Sequence, residues 1–489
     1  MGMRSIFIVL IVLISLSTKA QEMWGIVNSN YGGINTTYIN PAGIADQKVW
    51  LDINFITIDA FVENNSLYIP KEEIYFLEPL SPAADYGETA PIFKDAYDRE
   101  RTLKGNTSAL IEFPSVMLNL GNQGFGLKMT TRQATSLRGV EFHSTKFMYE
   151  GLDYEPQHNE YYELRNMRTS ALAWTEIAFS YARTFRQVSD RHYSFGVTIK
   201  KIQGMGGAII NVPFANYIVY NDSTMATEEL DGQLAYSMPL DYTNNEYTSN
   251  YGYSLGNGWA IDLGFLFQKK RDGNGLVKFK RPCEQGWSSY KYKIGISLLD
   301  LGYTSLKDNA YVFDFDNAQT YWPGINRWNP DNIAEMTSDI NYRYDHSQNA
   351  DASKFNIGLP TAVSLQYEWH PPSYWFFNLT YIHPTPVFEN SIRRPMQLVF
   401  APRYEKRRFE ISFPVSIYEW SRGRVGVAVR FLNLTIGTDY FSSWTGFVDM
   451  YGSDIYLSWK TNFAKGFCKR GDSHFHRNKR YYGKMCPRF

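Results

Sequence analysis

The chain lacks the short motifs that mark most enzyme active sites. Its 489 residues include three cysteines and eight histidines, and no HExxH, GxSxG, P-loop or CxxC pattern occurs. Such patterns hold a nucleophile, a phosphate or a metal ion in a fixed geometry. We therefore expect no enzymatic activity, no metal site and no cofactor. A catalytic triad scattered along the chain is the alternative that the sequence leaves open.

Net charge and long apolar runs are also missing. The 49 Lys and Arg balance the 49 Asp and Glu, so no excess of positive charge favours a nucleic acid as partner. Beyond the N-terminus, no continuous apolar stretch approaches the about 20 residues that a membrane-spanning helix needs. We therefore expect neither a nucleic-acid partner nor a helical membrane anchor.

The N-terminus has the parts of a secretory signal peptide. An apolar run from Ile6 to Leu16 is followed by the small residues Thr18 and Ala20. The run is too short to span a bilayer as a helix. The sequence therefore predicts a signal peptide over residues 1–20, cleaved before Gln21, and export of the remaining chain.

Aromatic residues are abundant, with 36 Tyr and 32 Phe, and apolar residues alternate with polar or small ones. In the segment WAIDLGFLF, every second residue from Trp259 to Phe267 is large and apolar, with Asp262 and Gly264 between them. Such alternation predicts a strand with one apolar face. By composition alone, a soluble exported β-protein and an outer-membrane barrel fit equally well. The alternation recurs over residues 290–298, 409–417, 425–431 and 455–459.

About fourteen strands can be placed by this alternation, and short connections alternate with long ones. Predicted strands start near residues 49, 110, 123, 171, 191, 257, 289, 359, 373, 394, 407, 422, 433 and 452, and the long connections cover 63–109, 137–170, 207–256 and 304–358. Short turns on one side and long loops on the other are typical of outer-membrane barrels, whose short turns face the periplasm. The prediction is an all-β transmembrane antiparallel barrel of about 14 strands over residues 49–463, in the outer membrane, with both termini periplasmic.

The phase of the alternation also predicts which polar residues face the lumen. They could line a polar path, or they could pair across a packed lumen and stabilise it. Mixed signs favour pairing, because an unpaired buried charge is costly. The candidates are Asp52, Asn54, Lys128, Asp262, Lys291, Lys293, Glu410 and Arg430.

A basic tail is predicted over residues 464–489, with eight Lys or Arg against one Asp. It could attract lipid headgroups or an acidic partner, or it could simply be solvated. Cys468 and Cys486 could form a disulfide in an oxidising periplasm, closing a loop of about 18 residues. Free thiols on a disordered tail are the alternative.

The segment NTTYINPAGIAD, residues 35–46, precedes the first predicted strand. Asn40 suits the N-cap of a helix and Pro41 its first position, where the missing N–H costs nothing. The small residues Ala42 and Gly43 allow close packing against a wall. Before a barrel whose N-terminus is periplasmic, this segment predicts an N-terminal hatch inside the barrel, over residues 21–48.

NTTYINPAGIAD and the WLDINF strand that follows resemble the N-terminal signature of barrels related to the long-chain fatty-acid transporter FadL and to the PorV-like proteins of Bacteroidota. GWAIDLGFLFQ and YKYKIGISLLDLGY resemble later strands of that group, and the CPRF ending resembles Bacteroidota members grouped as a domain of unknown function. The resemblance implies a fourteen-stranded barrel with an Asn-Pro-Ala segment in an internal hatch. The segment before the first strand is short and polar, so the resemblance does not imply a hydrophobic ligand route.

Two functions follow from this fold. The first is FadL-like passive transport of a small or hydrophobic compound across the outer membrane. The second is a non-transporting scaffold that binds components of a secretion or gliding machinery. The expected partners are outer-membrane lipid, the barrel-assembly machinery during biogenesis, and either a hydrophobic ligand or a secretion-system protein.

Overall fold

A closed ring of fourteen antiparallel strands forms the frame of the molecule. The structure is a computed structural model that describes residues 22–463 except 66, 72–73, 75–93, 96–101, 142, 145–146, 148–150, 189, 249–253, 272–286, 288 and 345–353. The ring closes because its first strand pairs with its last, from Leu51 opposite Phe463 to Glu63 opposite Gly452. The predicted signal peptide, the basic tail and the Cys468–Cys486 pair lie outside the described residues.

The strands are numbered β1 to β14 in chain order, which is also their order around the ring. They are β1 Leu51–Asn64, β2 Leu103–Glu112 with Ser115–Leu120, β3 Gln123–Val140, β4 Tyr161–Val188, β5 Arg191–Asn221, β6 Gly256–Lys270, β7 Tyr290–Leu306, β8 Phe355–Gly358 with Ala362–Trp369, β9 Trp375–Pro384, β10 Gln397–Glu405, β11 Phe409–Ser412 with Val415–Tyr418, β12 Arg422–Val425 with Val427–Phe431, β13 Leu434–Thr438 and β14 Gly452–Phe463. Pro114, Pro360 and Pro414 lie at three of the four interruptions, because proline cannot donate to a strand ladder. The predicted fold class and strand number are confirmed.

The wall is apolar outside and polar inside. Phe179 and Ile199 face outward and are about half exposed, at 50% and 49%, whereas Asp262 and Lys128 face inward and are buried. This distribution is the reverse of that in a soluble protein and matches a barrel whose outer face meets lipid.

The two ends of the barrel differ. At one end, called here the short-turn end, neighbouring strands are joined by turns such as Gly121–Asn122, Lys406–Arg408 and Leu432–Asn433, and β1 begins and β14 ends there. The opposite end, called the loop end, carries the long connections.

At the loop end β4 and β5 continue past the ring and carry three further strands. Thr224–Ser237 pairs with β5, and Ala310–Phe315 and Thr320–Pro323 pair with that added strand. No strand was predicted in these parts of the connections 207–256 and 304–358. In the first of these connections the run from Glu228 to Gly232, EELDG, interrupts the apolar alternation and so weakens the strand signal.

The remaining elements are short. The helices are α1 Trp24–Val27, α2 Ile333–Arg343 and α3 Phe441–Trp444, the 3-10 turns are Gly33–Tyr38, Pro41–Ala45, Gly151–Asp153, Glu155–Gln157 and Ile325–Arg327, and two small ribbons pair Leu67–Tyr68 with Lys94–Asp95 and Leu240–Asp241 with Glu246–Tyr247. Within the described part of the chain, none of the helices combines the length and the apolar character needed to cross a bilayer.

Residues 22–49 lie inside the ring and are called the hatch. The hatch contacts inward-facing residues on distant parts of the wall: the indole N–H of Trp24 donates to Gln397 on β10, and the Gly25 N–H donates to the Tyr456 hydroxyl on β14. Its apolar residues Ile34 and Ile44 pack with Met117 of β2 and Ala182 of β4.

Candidate functional site

The Asn40–Pro41 step anchors the hatch to one side of the wall. The Asn40 Oδ1 accepts from the Ala42 N–H at 2.9 Å, so Asn40 caps the Pro41–Ala45 turn. Its Nδ2 donates to the Phe265 carbonyl at 3.1 Å and to the Gln366 Oε1 at 2.9 Å. The same side chain therefore caps the start of the turn and joins it to β6 and β8.

Glycines in the wall make room for this turn. A Cβ added to Gly196 of β5 would lie 2.4 Å from the Ala42 nitrogen, and one added to Gly264 of β6 would lie 2.8 Å from the Pro41 ring. Real side chains do not reach such distances. These two wall positions therefore require glycine if the turn is to sit this close.

A second anchor holds the middle of the hatch to β1, β3 and β14. The Ile34 N–H donates to the Asp52 Oδ2 at 3.0 Å, and the Lys460 ammonium donates to the Gly32 carbonyl at 2.7 Å. The Lys128 Nζ donates to the Thr37 hydroxyl at 3.1 Å and lies 3.6 Å from the ring centroid of Tyr38. These contacts satisfy buried charges with hatch groups, as burial of a charge requires.

The third anchor is an ion cluster at the short-turn end. The Arg403 guanidinium lies 3.3 Å from Glu368, 3.0 Å from Glu405 and 3.4 Å from Glu410, and all four side chains are buried. Lys48 of the hatch pairs with Glu405. The hatch thus supplies one of the cations that balance three wall carboxylates.

Further hatch contacts extend this cluster. The Asn30 side chain donates to Glu405, and the Ser29 hydroxyl donates to Glu410 at 2.8 Å. Beside this cluster, Asp46 pairs with Lys270 at the end of β6, and the Lys270 Nζ lies 5.7 Å from the ring centroid of Tyr290. Both ends of the segment 29–48 are therefore held by charged wall residues.

A separate cluster lies deeper in the lumen around Asp300. Asp300 accepts from Arg132 at 3.0 and 3.2 Å and from Lys200 at 2.6 Å, and Lys200 also pairs with Asp262 at 2.8 Å. Asp300 has a φ of 53°, in the left-handed region, at a bulge of β7. The bulge turns this carboxylate into the lumen.

The structure places most of the predicted lumen residues in these clusters. Asp52, Asn54, Lys128, Asp262, Glu410 and Arg430 are buried inside the ring, and Lys293, partly buried, lies 3.2 Å from Glu368. Lys291 does not lie with them: a register shift between β6 and β7 turns Tyr290 inward and leaves Lys291 exposed. The hatch residues Asn40, Pro41 and Ala42 are buried, and Gly43 is partly buried.

Sequence reasoning missed several residues that complete the clusters. Four of them alternate in phase with other inward residues of their strands, so the period of two predicts their inward position. They are Lys200, Glu368, Arg403 and Glu405. Asp300 could not have been found in this way, because the bulge breaks the alternation.

Space beside the hatch is small. A cavity of about 60 Å³ lies between Tyr38, Asp59 and Arg132, and one of about 40 Å³ lies beside Asn40 and Gln47. Cavities of that size hold a few water molecules. A larger cavity of about 440 Å³ lies at the loop end, lined by residues that include Glu63, Lys104 and Glu419. Among the described residues, no group of three or more His, Cys, Asp or Glu is arranged to hold a metal ion.

The sequence of the chain matches a family over residues 41–439, described as a family of unknown function, DUF5723. The chain belongs to this family. A search of curated proteins gives no match.

Several solved structures are similar to the chain at low identity. The toluene transporter TbuX of Ralstonia pickettii has a TM-score of 0.40 and 8% identity, covering 90% of this chain and 98% of its own. The toluene transporter TodX of P. putida has a TM-score of 0.37 and 8% identity, covering 88% and 95%. A Pseudomonas aeruginosa FadL homologue has a TM-score of 0.23 and 8% identity, covering 91% and 98%. Because these scores are low, the barrel rests on the strand pairing of the chain itself.

Proposed function

We propose that the protein is an outer-membrane barrel that passively transports a small or hydrophobic compound, with the hatch as its gate. In this proposal residues 1–20 direct export and both termini lie in the periplasm. The observation that carries the proposal is that the hatch lies in the lumen and is held to the wall by side-chain contacts.

The hatch is a separate body held by side chains. The hydrogen bonds that join two backbone groups of the hatch stay within the segment, as from the Lys48 N–H to the Asn30 carbonyl. The wall holds the hatch through side chains such as those of Gln366, Glu405 and Asp52. Side-chain anchors of this kind can break without unpairing any barrel strand. A compound gathered in the loop-end cavity could therefore pass when the hatch shifts.

The test is uptake by intact Gram-negative cells that express the full chain, compared with cells that carry an empty vector. Two labelled probes are used, a long-chain fatty acid and a small hydrophilic solute. We expect Asn40→Ala to raise the uptake of the transported probe by about threefold or more, because it removes an N-cap and two wall contacts.

The matched control is Asn332→Ala. Asn332 also caps a helix, accepting from the Glu335 N–H at 2.8 Å, but α2 lies at the loop end and not in the lumen. Uptake should stay at the wild-type rate. Transport fails as an explanation if wild type and Asn40→Ala both remain at the empty-vector level while the barrel is folded in the outer membrane.

A scaffold is the second proposal, favoured by the sheet that projects from the loop end. Tyr161 and Tyr321 are exposed there, at 63% and 65%, and exposed aromatic residues are enriched at protein interfaces. Background uptake, together with recovery of secretion or gliding components in a pull-down of the full chain, would favour this function over transport.

A further inference from the structure

Among the described residues at the short-turn end of the barrel, exposed cations outnumber the acids. Six exposed Lys or Arg side chains lie there, and the partly exposed acids of the described residues at this end, Asp46 and Asp190, are each paired with a lysine. The described part of the rim at this end is therefore positively charged. The six cations are Arg183, Arg191, Lys291, Lys406, Arg407 and Arg408.

Three of these cations share one turn, which is held rigidly from inside the barrel. The buried Arg430 guanidinium donates to the Lys406 carbonyl at 2.9 Å and to the Arg407 carbonyl at 3.1 Å. The Leu432 N–H donates to the Arg408 carbonyl at 2.8 Å. The turn is therefore fixed before any ligand arrives, which lowers the entropy cost of binding.

Aromatic side chains surround the turn on the outer face of the wall. The Lys406 Nζ lies 5.1 Å from the ring centroid of Tyr374 and 5.2 Å from that of Tyr404. Phe409 and Phe431 are exposed on the adjoining strands. Amphipathic rings at this level mark the boundary between the apolar core of a bilayer and its headgroups.

The same boundary continues around the barrel. Ring contacts link Phe185 to Tyr193, Tyr193 to Phe267, Phe267 to Tyr292 and Tyr292 to Tyr367. Arg183 points outward on the same strand as Phe185, so its long side chain can reach the headgroups from within the band. The Lys406–Arg408 turn thus lies where headgroups of the adjacent leaflet meet the protein.

We propose that the Lys406–Arg408 turn binds the phosphate of an anionic phospholipid headgroup. A lipid fits better than a soluble partner, because the exposed Phe409 and Phe431 beside the cations need an apolar environment that acyl chains provide. The inference rests on the barrel spanning a bilayer, as proposed above, and is independent of transport.

The experiment measures binding of fluorescent phosphatidylglycerol to the full barrel reconstituted in phosphatidylethanolamine vesicles. The variant combines Lys406→Gln, Arg407→Gln and Arg408→Gln. We expect its apparent affinity for phosphatidylglycerol to fall by about tenfold or more, since each cation near an anionic lipid surface adds attraction. Raising the salt concentration should weaken wild-type binding.

The matched control removes three exposed cations from the loop end, Lys307→Gln, Arg327→Gln and Lys354→Gln, and should bind as wild type does. Heat-modifiable migration in gels shows that each variant is folded. The proposed site is wrong if both triple variants lose affinity for phosphatidylglycerol equally, or if the turn variant loses none. Competition by inorganic phosphate or an acidic peptide as strong as by the lipid overturns the choice of ligand. If the barrel binds the lipid but shows no uptake, the result counts against the proposed transport and not against the lipid site.

Discussion

At the scale of single residues, the lumen is an arrangement of buried charges that satisfy one another. Burying three carboxylates without a cation would be costly in free energy. Arg403 is the cation that approaches all three, Glu368, Glu405 and Glu410. Lys48, Lys293 and Arg430 add further positive charge at its edges. The cluster therefore depends on one central side chain more than on any other.

Replacing that side chain should be costly. We expect Arg403→Met to lower the free energy of unfolding by about 3 to 5 kcal/mol, because it leaves buried carboxylates without their shared partner. Urea unfolding of the vesicle-reconstituted barrel, followed by tryptophan fluorescence, measures the change.

Arg183→Met is the control, since Arg183 is exposed on the outer face and should change stability by less than about 0.5 kcal/mol. If both variants lower the free energy of unfolding by similar amounts, the Arg403 cluster stabilises the barrel no more than a surface charge does.

At the scale of elements, each long strand passes through two environments. Along β4, Phe179 faces outward within the apolar belt, whereas Tyr161 lies in the part that extends beyond the ring, where the added sheet begins. The same strand therefore provides a lipid-facing segment and a water-facing segment.

A charge placed on these two segments should have different effects. We expect Phe179→Arg to cost about 2 to 4 kcal/mol, as an arginine near the middle of a bilayer does, and Tyr161→Arg to cost little. Urea titration of both variants in vesicles measures the difference. A larger loss at Tyr161 would place the membrane boundary elsewhere.

At the scale of the whole molecule, the barrel is asymmetric from end to end. One end has the short turns and the outer ends of the first and last strands. The other end has the added sheet, α2 and the larger cavity. Outer-membrane barrels keep short turns on the periplasmic side and long loops outside.

This asymmetry predicts the orientation in cells. In a chain whose Cys283, Cys468 and Cys486 are replaced by Ser, Tyr342→Cys should react with a membrane-impermeant maleimide in intact cells, because Tyr342 is 85% exposed at the loop end. Arg407→Cys should react only after the outer membrane is permeabilised. The opposite pattern would reverse the topology.

The sequence alone determined the number of strands and the face that each presents, because alternation with a period of two depends only on neighbouring residues. It also placed Asp52, Lys128 and Glu410 on the inward face, and Asn40 and Pro41 at the start of a short helical turn, since capping is local as well.

Only the tertiary structure decided which inward residues meet. Ring closure brings β1 to β14, and lumen packing brings Arg132 to Asp300 and Lys48 to Glu405, pairs too distant in sequence for local patterns to reveal. Bulges also shift the phase, which turned Asp300 inward and left Lys291 outside. The alternation of neighbouring residues fixes which face of a strand is polar. Which lumen side chains pair depends on where the closed ring places each strand.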